Sequence, residues 1–298
     1  MSVWLALGAL LADRLLGELP RWHPLVGFGR LADWAERRFN KRVDARFNGV
    51  LAVVVTVLPF TLLTWLLEIY LGGLVGLVLL YVALGARSLE EHAMAVASEL
   101  AQGNLQGART QVSLMVSRES AGMDEDAVTR ATIESVLENG VDAVFGALFW
   151  FLIPGAPGVV LYRLVNTLDA MWDYRTERFN SFGWFAARLD DLLNWIPACL
   201  TAFSYALVGN CSQAMDCWRD QAQLLASPND GPAMTAGADA LGVELGGPAV
   251  YGGEQVDKAV FGVGDNPGVS DIYCALDLVH KGLFLWLAVV FMGSLLIA

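Results

Sequence analysis

Residues 48–67 read NGVLAVVVTVLPFTLLTWLL, and residues 69–86 read IYLGGLVGLVLLYVALGA. From Phe47 to Ala86 the chain carries no Lys or Arg, and Glu68 is the one charge. About 20 mostly apolar residues suffice for a helix to cross the hydrocarbon core of a bilayer. Each run is long enough, and the short polar step at Glu68 joins them as a helical hairpin. Composition agrees. Of the 298 residues 55% are apolar and 17% charged, and the mean hydropathy is +0.48; soluble domains average about 45–50% apolar and about 25% charged. These figures exclude disorder, collagen and a disulfide scaffold, and argue against a soluble two-domain enzyme. Nineteen basic against 31 acidic residues give a formal charge of −12, and no Lys/Arg run suggests a nucleic-acid partner. A membrane enzyme, a transporter or a membrane signalling protein remains.

Other segments follow from the same rule. Residues 3–12 (VWLALGALLA) resemble a signal-peptide core, but no basic segment precedes them and Asp13-Arg14 follow without a cleavage site. A retained first membrane segment is expected there, and a last one at 283–298 (LFLWLAVVFMGSLLIA). The run 141–165 contains Ile153-Pro-Gly-Ala-Pro-Gly158, which breaks a continuous helix. It leaves a re-entrant hairpin, two half-helices or a kinked span. Residues 192–209, with Pro197, are just long enough to cross. Lys and Arg gather on the cytoplasmic side, and eight lie between Arg14 and Arg46, with Arg87, Arg109, Arg118 and Arg130 after the hairpin. Both segments read as cytoplasmic, with Glu68 outside. Arg163, Arg175, Arg178 and Arg188 join that side if 141–165 is re-entrant, the favoured arrangement. The four cysteines (199, 211, 217, 274) have no metal-ligand spacing.

The expected fold is all-α: a polytopic protein of the cell (inner) membrane with four or five transmembrane helices, forming one membrane-embedded domain over 1–298. Its parts are a first membrane segment and basic loop (1–47), the hairpin (48–86), a polar stretch of soluble helices (87–140), the broken run with a polar cluster and a membrane segment (141–209), a Gly/Pro-rich loop (210–282) and the last segment (283–298). Ser88 with Glu91 forms a capping box, and Asp124-Glu-Asp126 suits a helix N-terminus.

Several polar clusters could carry chemistry. Glu134, Glu138 and Asp142 recur at i, i+4, i+8, one face of a helix that leads into apolar sequence. Like charges at that spacing repel, so the face is either solvated or offset by a substrate or a hard cation such as Mg²⁺. Arg118-Glu119 precede that helix and read as surface decoration unless their loop returns to it. Asn166, Asp169 and Asp173 share a second face, with Tyr174, Arg175 and Arg178 behind. Carboxylates for a metal beside guanidinium for a phosphate suit a phosphate-bearing substrate, though interfacial anchoring is the alternative. Arg188, Asp190, Asp191 and Asn194 repeat that composition at the edge of the 192–209 run. The glycines of 227–264 imply tight turns, but no Walker loop is present. His23, in the compact turn Pro20-Arg-Trp-His-Pro24, stands out among three scattered histidines.

These residues, taken in order, resemble the CbiB/CobD family of cobalamin-biosynthesis membrane proteins, the adenosylcobinamide-phosphate synthases. The likeness runs from Asp13-Arg-Leu-Leu-Gly17 and Pro20–Pro24 through Ser117-Arg-Glu-Ser120 and Glu134–Asp142. It continues with Leu161-Tyr-Arg-Leu-Val-Asn-Thr-Leu-Asp-Ala-Met171, Ala187-Arg-Leu-Asp-Asp-Leu-Leu-Asn194, Ser227-Pro-Asn229, Gly231 and Tyr251. Asp173, Asp239 and Glu244 depart from the family's pattern. The resemblance implies an ATP-dependent ligase that joins a propionate carboxyl of adenosylcobyric acid to (R)-1-aminopropan-2-ol O-phosphate or a related amine. Such a reaction usually passes through an acyl phosphate, with Mg²⁺ neutralising phosphate charge. It implies Glu134, Glu138 and Asp142 as metal ligands, and Arg118, Glu119, Asn166, Asp169, Arg188, Asp190 and Asp191 in catalysis. His23, Tyr174, Arg175, Asn194, Asn229, Gly231 and Tyr251 would bind substrate. Partners would be the corrinoid, the amine and the bilayer, with a second copy or other late cobalamin-pathway enzymes as further candidates. The alternatives are a regulatory membrane protein like the β-lactamase-induction protein AmpE, which shares the layout, and a transporter built on the broken run.

Overall fold

The structure is a computed structural model that describes the chain except residues 1, 19–22, 42–43, 173–177, 210, 226 and 298. Its elements begin with α1 (Ser2–Leu16), α2 (Pro24–Phe39), α3 (Ala45–Leu71), α4 (Gly73–Ala83), α5 (Ala86–Ala101) and α6 (Leu105–Val112). Next come α7 (Glu125–Gly140), a π-helical turn (Val141–Phe145), α8 (Gly146–Leu152), α9 (Ala156–Met171) and α10 (Trp184–Val208). The chain ends with α11 (Cys211–Gln221), a 3₁₀ turn (Ala222–Leu224), α12 (Asp230–Leu241), strands β1 (Leu245–Tyr251) and β2 (Glu254–Phe261), and α13 (Val269–Ile297).

Among the described residues five helical stretches are long and apolar enough to cross a membrane: Ala45–Leu71, Gly73–Ala101, Glu125–Leu152, Trp184–Val208 and Val269–Leu296. The protein is an all-α polytopic membrane protein. α3 exposes Leu58, Leu62, Leu63, Trp65 and Leu66, a continuous apolar surface that water would not tolerate and lipid does. α1, at 15 residues, falls short of the spanning length. The stretch 87–140 differs from its expected soluble character, because its two ends lie in Gly73–Ala101 and Glu125–Leu152. Nearly all of α7 from Val128 to Leu137 is buried, so Thr129, Thr132, Glu134 and Ser135 meet protein and hide the span from a search for continuous apolar sequence. The expected loop 210–282 also carries structure. It forms α11, α12 and an antiparallel β1–β2 hairpin, and the last long helix starts at Val269 rather than Leu283.

Two compact units are formed, one of Met1–Gly85 with Asp142–Asn194 and the other of Ala86–Val141 with Trp195–Ala298. In the first, α1 packs on α4 and α3 on α9. Ala6, Ala9, Ala32, Ala35 and Ala52 are buried between them, small residues that let helix backbones approach as they do in membrane bundles. Gly49 shows the tightest approach, since a Cβ there would overlap the carbonyl oxygen of Phe182. The break at Pro154-Gly155 makes the 141–165 run a helix–turn–helix hairpin. Gly155 adopts φ +77°, a conformation that glycine reaches without strain, and the Ala156 amide donates to Glu68 Oε1 at 3.2 Å. The α8–α9 turn therefore stands level with the end of α3.

In the second unit α7 is the centre, against α5, α12, α13 and β1. Leu137 packs closely over Gly237, and Tyr205 and Val279 over Gly140. Trp286 Nε1 donates to Ser204 Oγ at 2.8 Å. The hairpin is irregular between Leu245 and Gly247, where Gly246 and Gly247 both have positive φ.

Candidate functional site

In the first unit the π turn, α9 and α10 gather a buried polar network. Asp142 sits in the π turn, Asn166 one helix on, and Asp190 and Asn194 one turn apart on α10. Asn166 Nδ2 donates to Asp142 Oδ2 at 3.2 Å and to Asp190 Oδ1 at 3.4 Å, so one amide joins two carboxylates. Asn194 Nδ2 donates to Asp190 Oδ2 at 3.0 Å, and its Oδ1 accepts from the Tyr162 hydroxyl at 2.7 Å. Tyr162 is fully buried, and its hydroxyl also lies 3.0 Å from the Asp142 carbonyl oxygen. Gly146 makes room for that ring, because a Cβ there would overlap the hydroxyl. Arg163 Nη1 donates to Asn166 Oδ1 at 3.2 Å, while its Nε is buried with no hydrogen-bond partner among the described residues. Asp169 and Asp191 bring like charge to bear on Asp190. Arg188 pairs with Asp191 at 3.0 Å on a more exposed face.

A second set lies in the other unit. Arg118 forms a buried ion pair with Glu134 Oε2, and Glu134 Oε1 accepts from the Gly246 amide at 2.7 Å. Beside it the Glu119 amide donates to the Val250 carbonyl at 2.8 Å, and Glu119 Oε1 accepts from the Gly253 amide at 2.7 Å. Adjacent residues of one loop thus hold both ends of the hairpin. Lys258 covers the Tyr251 ring at 5.2 Å. Ser227 Oγ accepts from the Asn229 and Asp230 amides at 3.3 Å. Asn229 Oδ1 is buried with no partner among the described residues, and Gly231 lets the Ala222 carbonyl approach.

The sequence-predicted residues thus divide. Asn166, Asp190 and Asn194 meet Asp142 in one network; Arg118, Glu119, Glu134 and Tyr251 gather round the hairpin, with Glu138 exposed on α7. The anticipated face of Glu134, Glu138 and Asp142 crosses the π turn, where the 3.6-residue phase slips, and Glu134 has both oxygens committed to protein donors. Among the described residues no three His, Cys, Asp or Glu side chains form a group that could hold a metal ion. His23 caps α2, its Nδ1 accepting from the Leu25 amide at 3.2 Å. Tyr174, Arg175 and the divergent Asp173 lie outside the described residues. Tyr162 and Arg163 were not singled out, although they sit at i−4 and i−3 from Asn166 on the same helix; Tyr162 reads as apolar core until its hydroxyl is placed.

A helical membrane protein that buries carboxylates, amides and a guanidinium together belongs among the polytopic proteins with an intramembrane polar site. The particular family follows from comparison with known proteins. The model of the CobD/Cbib protein family matches residues 6–279. Over the whole of both chains the protein is 56% identical to the cobalamin biosynthesis protein CobD of Stutzerimonas stutzeri. It is 52% identical to that of Chromobacterium violaceum, covering 97% of this chain and 96% of the relative. For Brucella anthropi the figures are 36%, 97% and 95%. No solved structure matches. The chain belongs to the CobD/Cbib family.

Proposed function

We propose that the protein serves cobalamin biosynthesis as an amide-forming ligase. The propionate carboxyl of adenosylcobyric acid and the amine of (R)-1-aminopropan-2-ol O-phosphate, or an analogue, become an amide, and ATP leaves as ADP and phosphate. Family membership supports the pathway. The chemistry rests on one observation, the convergence of Asp142 and Asp190 on Asn166 beside the Arg163 guanidinium.

The donor set fits Mg²⁺. That ion takes one or two carboxylates and completes its shell with water and substrate phosphates, and Asp142 and Asp190 supply such a pair. When bound it would neutralise the charge of ATP while the carboxyl is activated. The other roles belong to the chain. Asn166 separates the two carboxylates and fixes their spacing. Tyr162 holds Asn194 so that its amide donates to Asp190 rather than turning away. Arg163, with one N–H unanswered among the described residues, and Arg188 are suited to phosphate oxygens. Asp169 is suited to the amine. Arg118, Glu119 and Glu134 position the hairpin, which carries Tyr251, and Asn229 presents a free carbonyl to a substrate amide. The abundance of Arg at 14–46 argues for a cytoplasmic location of that face in the cell membrane.

The deciding experiment incubates detergent-purified protein with adenosylcobyric acid, aminopropanol phosphate and Mg-ATP, followed by mass spectrometry. Amide that disappears when ATP is omitted is the expected result. No amide, beside an active relative, overturns the ligase and favours a regulatory protein.

A further inference from the structure

The corner between α2 and α3 presents a charge pattern that ligase chemistry does not use. Residues 14–46 hold eight basic and four acidic residues in a chain whose net charge is −12. Arg37, Arg38, Lys41 and Arg46 are all exposed. Beside them stand exposed aromatic rings, with Trp34 at 51%, Phe47 at 69% and Trp184 at 38%. Arg46 lies over the Trp184 ring at 5.6 Å. A soluble surface with this many cations has no cause to expose two tryptophans among them, whereas a bilayer interface has.

Depth can be read from α3. The helix ends at Leu71, and Arg46 lies 25 residues earlier. At about 1.5 Å per residue the separation is about 37 Å. The hydrocarbon core is about 30 Å thick and the bilayer with its headgroups about 40–45 Å. With its far end at one core boundary, α3 delivers Arg46 into the headgroup layer on the other side. α2 runs back alongside, fixed by the edge-to-face contact of Phe28 with Phe60 at 6.1 Å. The C-terminal end of α2, with Arg37 and Arg38, therefore lies at the same depth as Arg46. Acidic groups near this corner are few. Glu36 is turned inward onto Arg178 at 2.7 Å and accepts from Asn40, while Asp33 and Asp44 are exposed.

We infer that Arg37, Arg38, Lys41 and Arg46, framed by Trp34 and Trp184, form a binding site for the phosphate headgroups of anionic phospholipids. The inference rests on the membrane-spanning fold and not on the ligase assignment, so the failure of one leaves the other intact. Four exposed cations at one depth match a layer of phosphodiesters, each worth about 1 kcal/mol near such a surface. The neighbouring rings supply the apolar contact that a soluble phosphate lacks.

The test uses the full chain in detergent, with native mass spectrometry of retained lipid after addition of equal phosphatidylglycerol and phosphatidylcholine. The expected result is at least about fivefold preference for phosphatidylglycerol, following from about 1 kcal/mol per cation. Raising salt from 50 to 500 mM reduces that preference, as screening requires. The R37Q/R38Q/K41Q/R46Q variant loses it, and R37K/R38K keeps it. Equal retention of the two lipids by the unaltered protein overturns the inference, as does an unchanged preference in the glutamine variant. Displacement of phosphatidylglycerol by millimolar inorganic phosphate would assign the corner to a soluble anion and overturn it equally. If the glutamine variant does not fold, the lipid and salt arms on the unaltered protein still decide.

Discussion

The Asn166 side chain stands between two carboxylates that would otherwise repel each other in a medium of low dielectric constant. Asn166→Ala removes the donor shared by Asp142 and Asp190. Loss of such outer support typically weakens a metal site about 10–100-fold, so the Mg²⁺ concentration for half-maximal ligation should rise by that factor; titration of turnover against Mg²⁺ measures it. The carboxyl of Asp239 on α12 invites a different experiment. Burial, reinforced by the negative charge of Asp216, holds it above the usual carboxylate range, and Oδ2 has no hydrogen-bond partner among the described residues. A carboxyl whose folded value is raised helps the folded state below its unfolded value of about 3.9 and loses that help as pH rises through the folded value. Asp239→Asn should therefore melt higher than the unaltered protein at pH 7 and show no such gain at pH 4, by thermal scans in detergent. Part of this was legible beforehand. Asn166, Asp190 and Asn194 declared themselves by polar spacing at the edge of apolar runs. The role of Arg163 did not, because a lone Arg in an apolar helix looks like an interfacial anchor until its neighbours are placed.

At the scale of elements, the β1–β2 hairpin depends on one loop of another part of the chain. Arg118 and Glu134 are both buried, and removing one partner of a buried pair costs about 3 kcal/mol. Arg118→Ala should unfasten the Gly246 end, so that limited proteolysis cuts within 246–260 well before it does in the unaltered protein. Equal digestion rates would show that Glu119 suffices alone. The hairpin was hidden in the sequence because Gly246, Gly247, Gly252 and Gly253 all adopt positive φ, and a glycine-dense stretch reads as loop. The helices were easier. α3 declared itself through an unbroken apolar run, and α9 through the proline and glycine before it. α7 did not, since its polar residues face protein and dilute the apolar signal. The acidic face drawn from Glu134, Glu138 and Asp142 assumed an unbroken α-helix through 134–142, an assumption the π turn at Val141–Phe145 does not respect.

For the molecule as a whole, the link between Glu68 and Ala156 ties the ends of two helical hairpins to one level. The α3–α4 turn and the α8–α9 turn should then face the same side of the membrane, opposite the Arg-rich corner. In a background freed of native cysteines, single cysteines at Tyr70 and at Ile153 should react with an impermeant maleimide on intact cells. One at Lys41 should react only after permeabilisation. Labelling at 70 but not at 153 would contradict the shared level. Legibility at this scale was uneven. The spanning class followed from composition alone, whereas the division into two compact units did not. Each unit is assembled from two separated stretches of chain, and no change of composition marks where they meet.

The π turn holds a residue more than the α-helical path needs, and that surplus sets the rotational phase of everything after it. Deleting Ala143 would let the segment rewind as ordinary α-helix and turn α8 by about 100°, one residue's share of a 3.6-residue turn. Gly146 would swing out from over Tyr162, and a bulkier neighbour would take its place. A one-residue deletion here should thus dismantle the polar network while leaving total helix content almost unchanged. Circular dichroism would read as native and turnover as absent. Insertions and deletions at this spot carry a penalty unlike any at the loops, and a chain aligned across it without allowing for the extra residue would match the wrong faces of the helix.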